Sequence, residues 1–305
     1  MFVKLFKSLA PGKVAGRLKI KQCQKKLIVG IAPRMDNRIM PQENAKILWN
    51  RAVAKNTMHM GLACAEACRD VAPGQFVMLR TGSRVDPLLR RPFSVHQAIV
   101  EAGVITGIEL LYKVVGSVTE RMAGLREGDA LNLVAPLGQG FRLPDQAKNV
   151  MLVCGGIGVA PLVYLGTWLV DSGIQPGDIR VLIGGRNRED VLCADRFKDM
   201  GMAVHVSTDD GSLGEKGLVT VAMDSAIDRL KPDMVYTCGP HGMLKAVADI
   251  CEKKDTPCQV SVETLMACGI CACLGCAVTK RNDDGSYMHV CKNGPVFDAH
   301  ELSWK

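Results

Sequence analysis

Two spacings of apolar residues divide the chain. Between about residues 46 and 144, short apolar runs alternate with glycine and proline turns. Phe76-Val77-Met78-Leu79-Arg80 follows Pro73-Gly74, and Ile108-Glu109-Leu110-Leu111-Tyr112-Lys113 and Ala130-Leu131-Asn132-Leu133-Val134 come later. This pattern predicts a β-barrel or sandwich, with one helix over residues 118–125 stopped before Glu127-Gly128-Asp129. From Asn149 the period changes. Strand-like Met151-Leu152-Val153, Val181-Leu182-Ile183, Val204-His205-Val206 and Met234-Val235-Tyr236 are interspersed with helical patterns at 161–171 and 241–251. Alternating β and α elements predict a parallel, doubly wound sheet. The last fifty residues are rich in cysteine. The expected units are therefore a basic extension (1–45), a β-barrel (46–145), an α/β domain (146–254) and a small cysteine-bearing domain (255–305).

One apolar stretch has the length of a membrane span: residues 150–170 carry no charge. Gly155, Gly156, Gly158, Pro161 and Gly166 interrupt it, so a strand, a glycine turn and a helix account for it better. Membrane attachment is not expected. The net charge of +7 would suggest a polyanion partner, but ten Lys/Arg against two acids lie in the first 45 residues. The remainder is close to neutral, so any such partner concerns that extension alone. Aromatic residues are only 5%, too few for a base-stacking surface, and no nucleic-acid partner is expected.

The chain has 13 cysteines, five of them between Cys268 and Cys291. Clustered thiols without a secretory pattern predict metal ligands in a reducing compartment, here the cytoplasm. Cys268, Cys273, Cys276 and Cys291 are spaced C-x4-C-x2-C-x14-C. A [2Fe–2S] cluster needs two thiolates per iron and a tight loop holding three of the four, as this spacing provides. Small residues between them, such as Gly269 and Gly275, let backbone N–H groups approach the sulfurs. Tetrahedral zinc is the alternative, although zinc modules more often use paired knuckles. Cys271 falls inside the loop, as a non-ligand or an alternative ligand.

Two further motifs suggest nucleotides. Gly155-Gly156-Ile157-Gly158-Val159-Ala160-Pro161 follows a strand and opens a helix, where free N–H groups can meet a pyrophosphate. Cys238-Gly239-Pro240 ends a later strand before another helix, so both loops can face one crevice. In the β region, Arg91-Pro92-Phe93-Ser94 offers a guanidinium for a diphosphate and a hydroxyl beside an apolar residue for a flavin edge.

Taken together, these motifs resemble the ferredoxin reductase superfamily, whose members join an FAD-binding β-barrel to an NAD(P)-binding α/β domain. Glu263-Thr264-Leu265-Met266-Ala267-Cys268-Gly269, Cys273-Leu274-Gly275-Cys276 and Cys291-Lys292-Asn293-Gly294-Pro295-Val296-Phe297 narrow the likeness. They resemble the electron transfer subunits of NAD-dependent, type B dihydroorotate dehydrogenases, a resemblance covering about residues 46–305. It implies that Arg91, Pro92, Phe93 and Ser94 touch FAD, together with Leu111, Tyr112 and Lys113. It places Gly116, Val118 and Thr119 near the FAD phosphates, with Val118 standing where the family has glycine. The same likeness implies that the four cysteines hold a [2Fe–2S] cluster and that NAD binds at Gly155, Gly156, Gly158, Pro161, Cys238, Gly239 and Pro240.

The implied activity is oxidoreductase electron transfer in pyrimidine biosynthesis, from an FMN-containing catalytic subunit through the cluster and FAD to NAD+. A heterotetramer of two subunits of each kind is expected. No acid/base site for dihydroorotate is evident, so no catalytic residue is assigned. Related subunits of sulfide dehydrogenases, transhydrogenases or hydrogenases are the alternative, but some of these carry aspartate at the position of Cys268. A zinc-stabilised interaction protein without redox cofactors is a more distant one. The residues themselves leave NAD and NADP open, since Arg186 can meet a 2′-phosphate and Asp209-Asp210 can repel one; the resemblance implies NAD.

Overall fold

Seven antiparallel strands build the first sheet: β1 (Gln42–Ala54), β2 (Thr57–Ala63), β3 (Phe76–Arg80), β4 (Arg91–Ser94), β5 (Gln97–Glu101), β6 (Val104–Lys113) and, after the short helix α1 (Ser117–Ala123), β7 (Ala130–Leu137). Their order is β4-β3-β7-β1-β2-β6-β5, curling into a barrel-like sheet. In β7, Leu131, Leu133, Ala135 and Leu137 are buried and the residues between them are not. That period of two is the mark of a sheet with one buried face. The computed structural model describes residues 41–82, 87–281 and 285–304. The basic segment up to residue 40, with its expected role as an extension or surface anchor, lies outside them. The sheet itself starts at Gln42, a few residues before the expected boundary.

The second sheet follows from β8 (Val150–Gly155), α2 (Val159–Asp171), β9 (Ile179–Gly185), α3 (Ala194–Asp199), β10 (Ala203–Thr208), β11 (Glu215–Lys216), α4 (Val219–Leu230), β12 (Met234–Cys238), α5 (His241–Lys253) and β13 (Cys258–Ser261). Its order is β11-β10-β9-β8-β12-β13, all parallel, with an antiparallel edge strand β16 (Val296–Asp298). Strands β8 and β12 are buried at every position, as central parallel strands must be when helices cover both faces. Residues of α2 and α3 pack on one face, and those of α4 and α5 on the other. The uncharged stretch 150–170 is thus β8, a glycine turn and α2. Among the described residues no helix is long and apolar enough to cross a membrane.

The final fifty residues do two things. Strands β13 and β16 extend the α/β sheet, while between them lie a cysteine loop, a hairpin of β14 (Ala277–Thr279) and β15 (Tyr287–His289), and the single turn α6 (Val290–Asn293).

Barrel and α/β sheet share an apolar and polar seam. Leu111 of β6 packs into the core that covers α2. The Tyr164 hydroxyl of α2 donates to the Val71 carbonyl (2.8 Å), and Lys113 pairs with Asp190 (2.6 Å).

Candidate functional site

The cysteine loop is wound around sulfur. Gly269, Cys271 and Leu274 all have left-handed φ, at +72°, +59° and +58°, and alternation of hand along a loop turns successive N–H groups into one concavity. Ile270 and Cys273 donate their N–H groups to Cys268 Sγ (3.4 and 3.3 Å). Cys271 N–H donates to Cys291 Sγ (3.1 Å), and Cys291 N–H to Cys276 Sγ (3.5 Å). The sulfurs come in two pairs: Cys276 and Cys291 lie 3.2 Å apart, and Cys268 hydrogen-bonds Cys273. Backbone donors, that of Gly275 first, bring the Cys273 thiol down to about 7. Four soft donors in two pairs, each sulfur receiving at least one backbone N–H group, fit a thiolate-bound binuclear iron centre. All four cysteines expected as ligands are brought together. Cys271 contributes its N–H group to this cradle.

The glycine turn and the Cys238 loop meet at the carboxyl ends of β8 and β12. Chain order reverses there, with β9 and β10 on one side of β8 and β12 and β13 on the other, which is where open α/β sheets bind ligands. The two loops touch backbone to backbone: a Cβ on Gly158 would lie 2.4 Å from the Cys238 carbonyl oxygen and 2.6 Å from Gly239 N. Gly155 packs against Pro240 and Met243. Gly156, at φ +53°, faces open space, leaving a cradle that a pyrophosphate fits. Pro161 is the third residue of α2, where its missing N–H costs nothing.

The Arg91–Ser94 strand lines a gap in the barrel. The β5 ladder on β6 stops at Gln97–Glu109, and β4 pairs with β3 rather than with β6. The edge of β6 beyond Glu109 therefore faces β4 without a strand partner. Such an open edge suits a flavin ring, whose heteroatoms can take up the unpaired backbone groups. Ser94 pairs through its backbone with Phe76 of β3, and among the described residues no hydrogen bond engages its hydroxyl. The Phe93 and Tyr112 rings meet edge to face at 5.9 Å, while Pro92 pairs in register with Met78. Arg91 donates to the carbonyls of Leu89 (2.9 Å) and Arg90 (3.3 Å), keeping other guanidinium donors free.

Several expected contacts are already engaged within the protein. The Tyr112 hydroxyl donates to Asn50 Oδ1 (3.1 Å), and burial pushes its pKa up to about 12. Lys113 is held by Asp190. The Thr119 hydroxyl is turned onto its own loop, accepting from the N–H groups of Val115 and Gly116 (2.9 and 3.1 Å). Val118 packs into the barrel core, so its branched side chain does not cover Gly116, which faces open space.

The three sites adjoin. A Cβ on Gly269 of the cysteine loop would lie 2.4 Å from Met78 Cγ of β3, and Met78 is the register partner of Pro92. A single strand therefore separates the sulfur cradle from the Arg91–Ser94 edge.

Residues missed from the sequence also line this region. Ser261 pairs in register with Cys238, and two residues on stands Glu263. Its side chain is exposed, yet crowding by surrounding atoms raises its pKa, as happens on the wall of a cleft rather than on a convex surface. An acid directly after a short apolar run was the available signal. His96, Glu109 and Arg196 form a second missed group, described below.

Residues 263–303 match the family model described as the iron–sulfur cluster binding domain of dihydroorotate dehydrogenase B, and residues 152–249 match the oxidoreductase NAD-binding domain. The chain is 40% identical over 263 residues to the dihydroorotate dehydrogenase B (NAD(+)) electron transfer subunit of Desulforamulus reducens, covering 86% of this chain and 98% of that protein. Among solved structures, it superposes on a chain of the NADH-dependent reduced ferredoxin-NADP oxidoreductase studied for flavin-based electron bifurcation. There the TM-score is 0.74 at 28% identity, covering 87% of this chain and 92% of the other. A ferredoxin NADP+ reductase from Neisseria gonorrhoeae, solved with bound FAD and NADP, shares the fold at TM-score 0.59 and 16% identity, covering 71% and 92%. With a relative this close over nearly its whole length, the chain belongs to the family of electron transfer subunits of NAD(+)-dependent dihydroorotate dehydrogenase B.

Proposed function

We propose that this chain carries electrons between a dihydroorotate-oxidising subunit and NAD+, with an iron–sulfur cluster, a flavin and the dinucleotide placed in series. The adjacency at Met78 carries this reading, because it sets the sulfur cradle one strand away from the flavin edge. FAD takes up two electrons as a hydride and exchanges them singly, the conversion required between NAD(H) and such a cluster.

Each group then has a task. Cys268, Cys273, Cys276 and Cys291 would hold the iron–sulfur cluster, which accepts electrons one at a time. The Ser94 hydroxyl and the open edge of β6 bond the flavin ring, and Phe93 and Pro92 pack beside it. Leu111, Tyr112 and Lys113 form the wall of that gap, Tyr112 and Lys113 being fixed by Asn50 and Asp190. Arg91 and the loop of Gly116, Val118 and Thr119 take the FAD diphosphate. Gly155, Gly156, Gly158 and Pro161 receive the NAD pyrophosphate, and Cys238, Gly239 and Pro240 close the crevice over the nicotinamide end. The domain limits 46–145, 146–254 and 255–305 describe these tasks, although β13 and β16 of the last unit complete the α/β sheet.

The partner is an FMN-containing catalytic subunit, assembled two and two in the cytoplasm. Apolar Leu265, Ile270 and Leu274, exposed at 90%, 43% and 55% around the cluster loop, support docking at that face. Co-expression with such a subunit is expected to give dihydroorotate:NAD+ activity, whereas the chain alone reduces dyes with NADH and leaves dihydroorotate untouched. Dihydroorotate oxidation by the isolated chain, or an inactive complex containing both subunits, would contradict this.

NAD is favoured over NADP by charge. Arg186 is spent on Asp190 (2.7 Å), and Arg188 on the Ser212 carbonyl (2.9 Å). Asp209, exposed at the end of β10, donates its N–H to the Gly185 carbonyl (3.0 Å) and leaves its carboxylate at the mouth of the crevice. Asp209→Ser is expected to raise kcat/KM for NADPH relative to NADH about tenfold, a difference of ~1.4 kcal/mol. An unchanged ratio in steady-state dye reduction would remove Asp209 from that role.

A further inference from the structure

One polar knot joins the two halves of the molecule at a place where the cofactor motifs approach each other. Glu109 of β6 accepts hydrogen bonds from His59 Nε2 of β2 (3.0 Å) and from Arg196 of α3 (2.9 Å). The same Arg196 nitrogen lies 3.1 Å from His96 Nε2, and His96 Nδ1 lies 2.9 Å from the Ala160 carbonyl oxygen. A carbonyl only accepts and a guanidinium only donates, so His96 carries its proton on Nδ1 and accepts at Nε2. His96 is buried, which pushes its pKa down to about 4, so one neutral tautomer serves at physiological pH. Burial alone would raise the Glu109 carboxyl, but the donors His59 and Arg196 outweigh it and bring it down to about 2. The ligand atoms of His59, His96 and Glu109 lie within 4.8 Å of one another, the spacing of a cation site. Here the Arg196 guanidinium supplies the cation.

We infer that Arg196 is a positioning residue for hydride transfer: by holding Glu109 and His96 together it fixes the start of α2, and with it the 155–161 turn, against the strand bearing Arg91–Ser94. The inference rests on the assignment of those two motifs to NAD and FAD. His96 stands two residues beyond Ser94, and Ala160 one residue before Pro161. A single imidazole thus ties the flavin motif to the pyrophosphate turn. Without Arg196 the buried Nε2 loses its donor, and the ring loses what keeps it aimed at Ala160. The fold keeps other attachments across the seam, including Tyr164 to Val71, Lys113 to Asp190 and the apolar packing of Leu111. The expected effect is therefore on alignment. A misplacement of about 1 Å between hydride donor and acceptor costs on the order of 100-fold in rate.

The test is anaerobic stopped-flow reduction of the holoprotein by NADH and by 4-deuterated NADH. Arg196→Ala is expected to retain its flavin and iron, to be reduced about 10–100-fold more slowly, and to show a larger primary isotope effect. Arg196→Lys is expected to recover part of the rate, because an ammonium can hold Glu109 but lacks the planar second donor. A rate for Arg196→Ala within about twofold of the parent protein would overturn the inference. So would lowered thermal stability with flavin loss while the retained flavin is reduced at the parent rate. Should Arg196→Ala not fold, Glu109→Gln is read in the same way: slower flavin reduction supports the role and an unchanged rate refutes it. A parent protein that NADH does not reduce at all would instead defeat the underlying cofactor assignment.

Discussion

Replacing Cys291 by alanine is expected to leave a yellow protein that accepts electrons from NADH and delivers none to its partner. Cys291 is fully buried, its sulfur lies 3.2 Å from that of Cys276, and it receives the Cys271 N–H group at 3.1 Å. Removing it leaves three thiolates and the Cys271 N–H group without its acceptor. Loss of outer-shell partners alone typically lowers metal affinity about 10–100-fold, so loss of a direct ligand should exceed ~100-fold. Iron content and the paramagnetic signal of the reduced cluster should both vanish, and dihydroorotate:NAD+ turnover of the complex should fall by a similar factor. NADH–dye reduction should persist, because the Arg91–Ser94 edge and the 155–161 turn are untouched. Cys271→Gly is the informative comparison: glycine suits the left-handed φ of +59° and keeps the N–H group, so the cluster should remain. An intact signal in Cys291→Ala would mean that the ligand set is wrong.

Gly158→Ala should act on the other end of the chain of carriers. Its φ of −61° suits any residue, so backbone conformation is not the issue. The constraint is proximity. The new methyl would lie 2.4 Å from the Cys238 carbonyl oxygen and 2.6 Å from Gly239 N. Both are main-chain atoms, so relief requires the two loops to part. Overpacking of this kind costs about 1–3 kcal/mol, and if that cost falls on the crevice, KM for NADH rises by about 5–150-fold. Dithionite should still reduce the cluster normally. Gly177→Ala, where a Cβ meets nothing within 4 Å, should leave KM unchanged. An unaltered KM in Gly158→Ala would show that dinucleotide binding does not depend on contact between the two loops.

The central elements were legible in the sequence because burial wrote them there. Strand β8 is covered on both faces, so Val150-Met151-Leu152-Val153 is a continuous apolar run, and the glycines after it exclude a membrane span. The gathering of Cys268, Cys273, Cys276 and Cys291 is legible for a different reason: three lie in one short loop, where spacing nearly determines proximity. What is not legible depends on contacts between distant residues. Strand β13 is four residues long and is a strand of the α/β sheet only because β12 lies beside it, so the apolar pattern alone leaves it within the cysteine-rich segment. The ion pair of Lys113 is not legible, because nothing near it in sequence discloses Asp190, 77 residues away. His96 and Arg196 are separated by 100 residues, and neither carries a local pattern that distinguishes it from a surface charge or an ordinary buried histidine. Glu263 lay within the motif that identified the family, yet its position beside the crevice follows only from the register of Ser261 with Cys238.

The most direct test is the paramagnetic resonance spectrum of the purified chain, without its partner, after anaerobic addition of NADH alone. If the dinucleotide crevice, flavin edge and sulfur cradle are in electronic series, the yellow absorbance bleaches and the signal of a reduced binuclear iron–sulfur centre appears. A protein whose iron centre is reduced by dithionite, but which stays silent with excess NADH, would contradict the account.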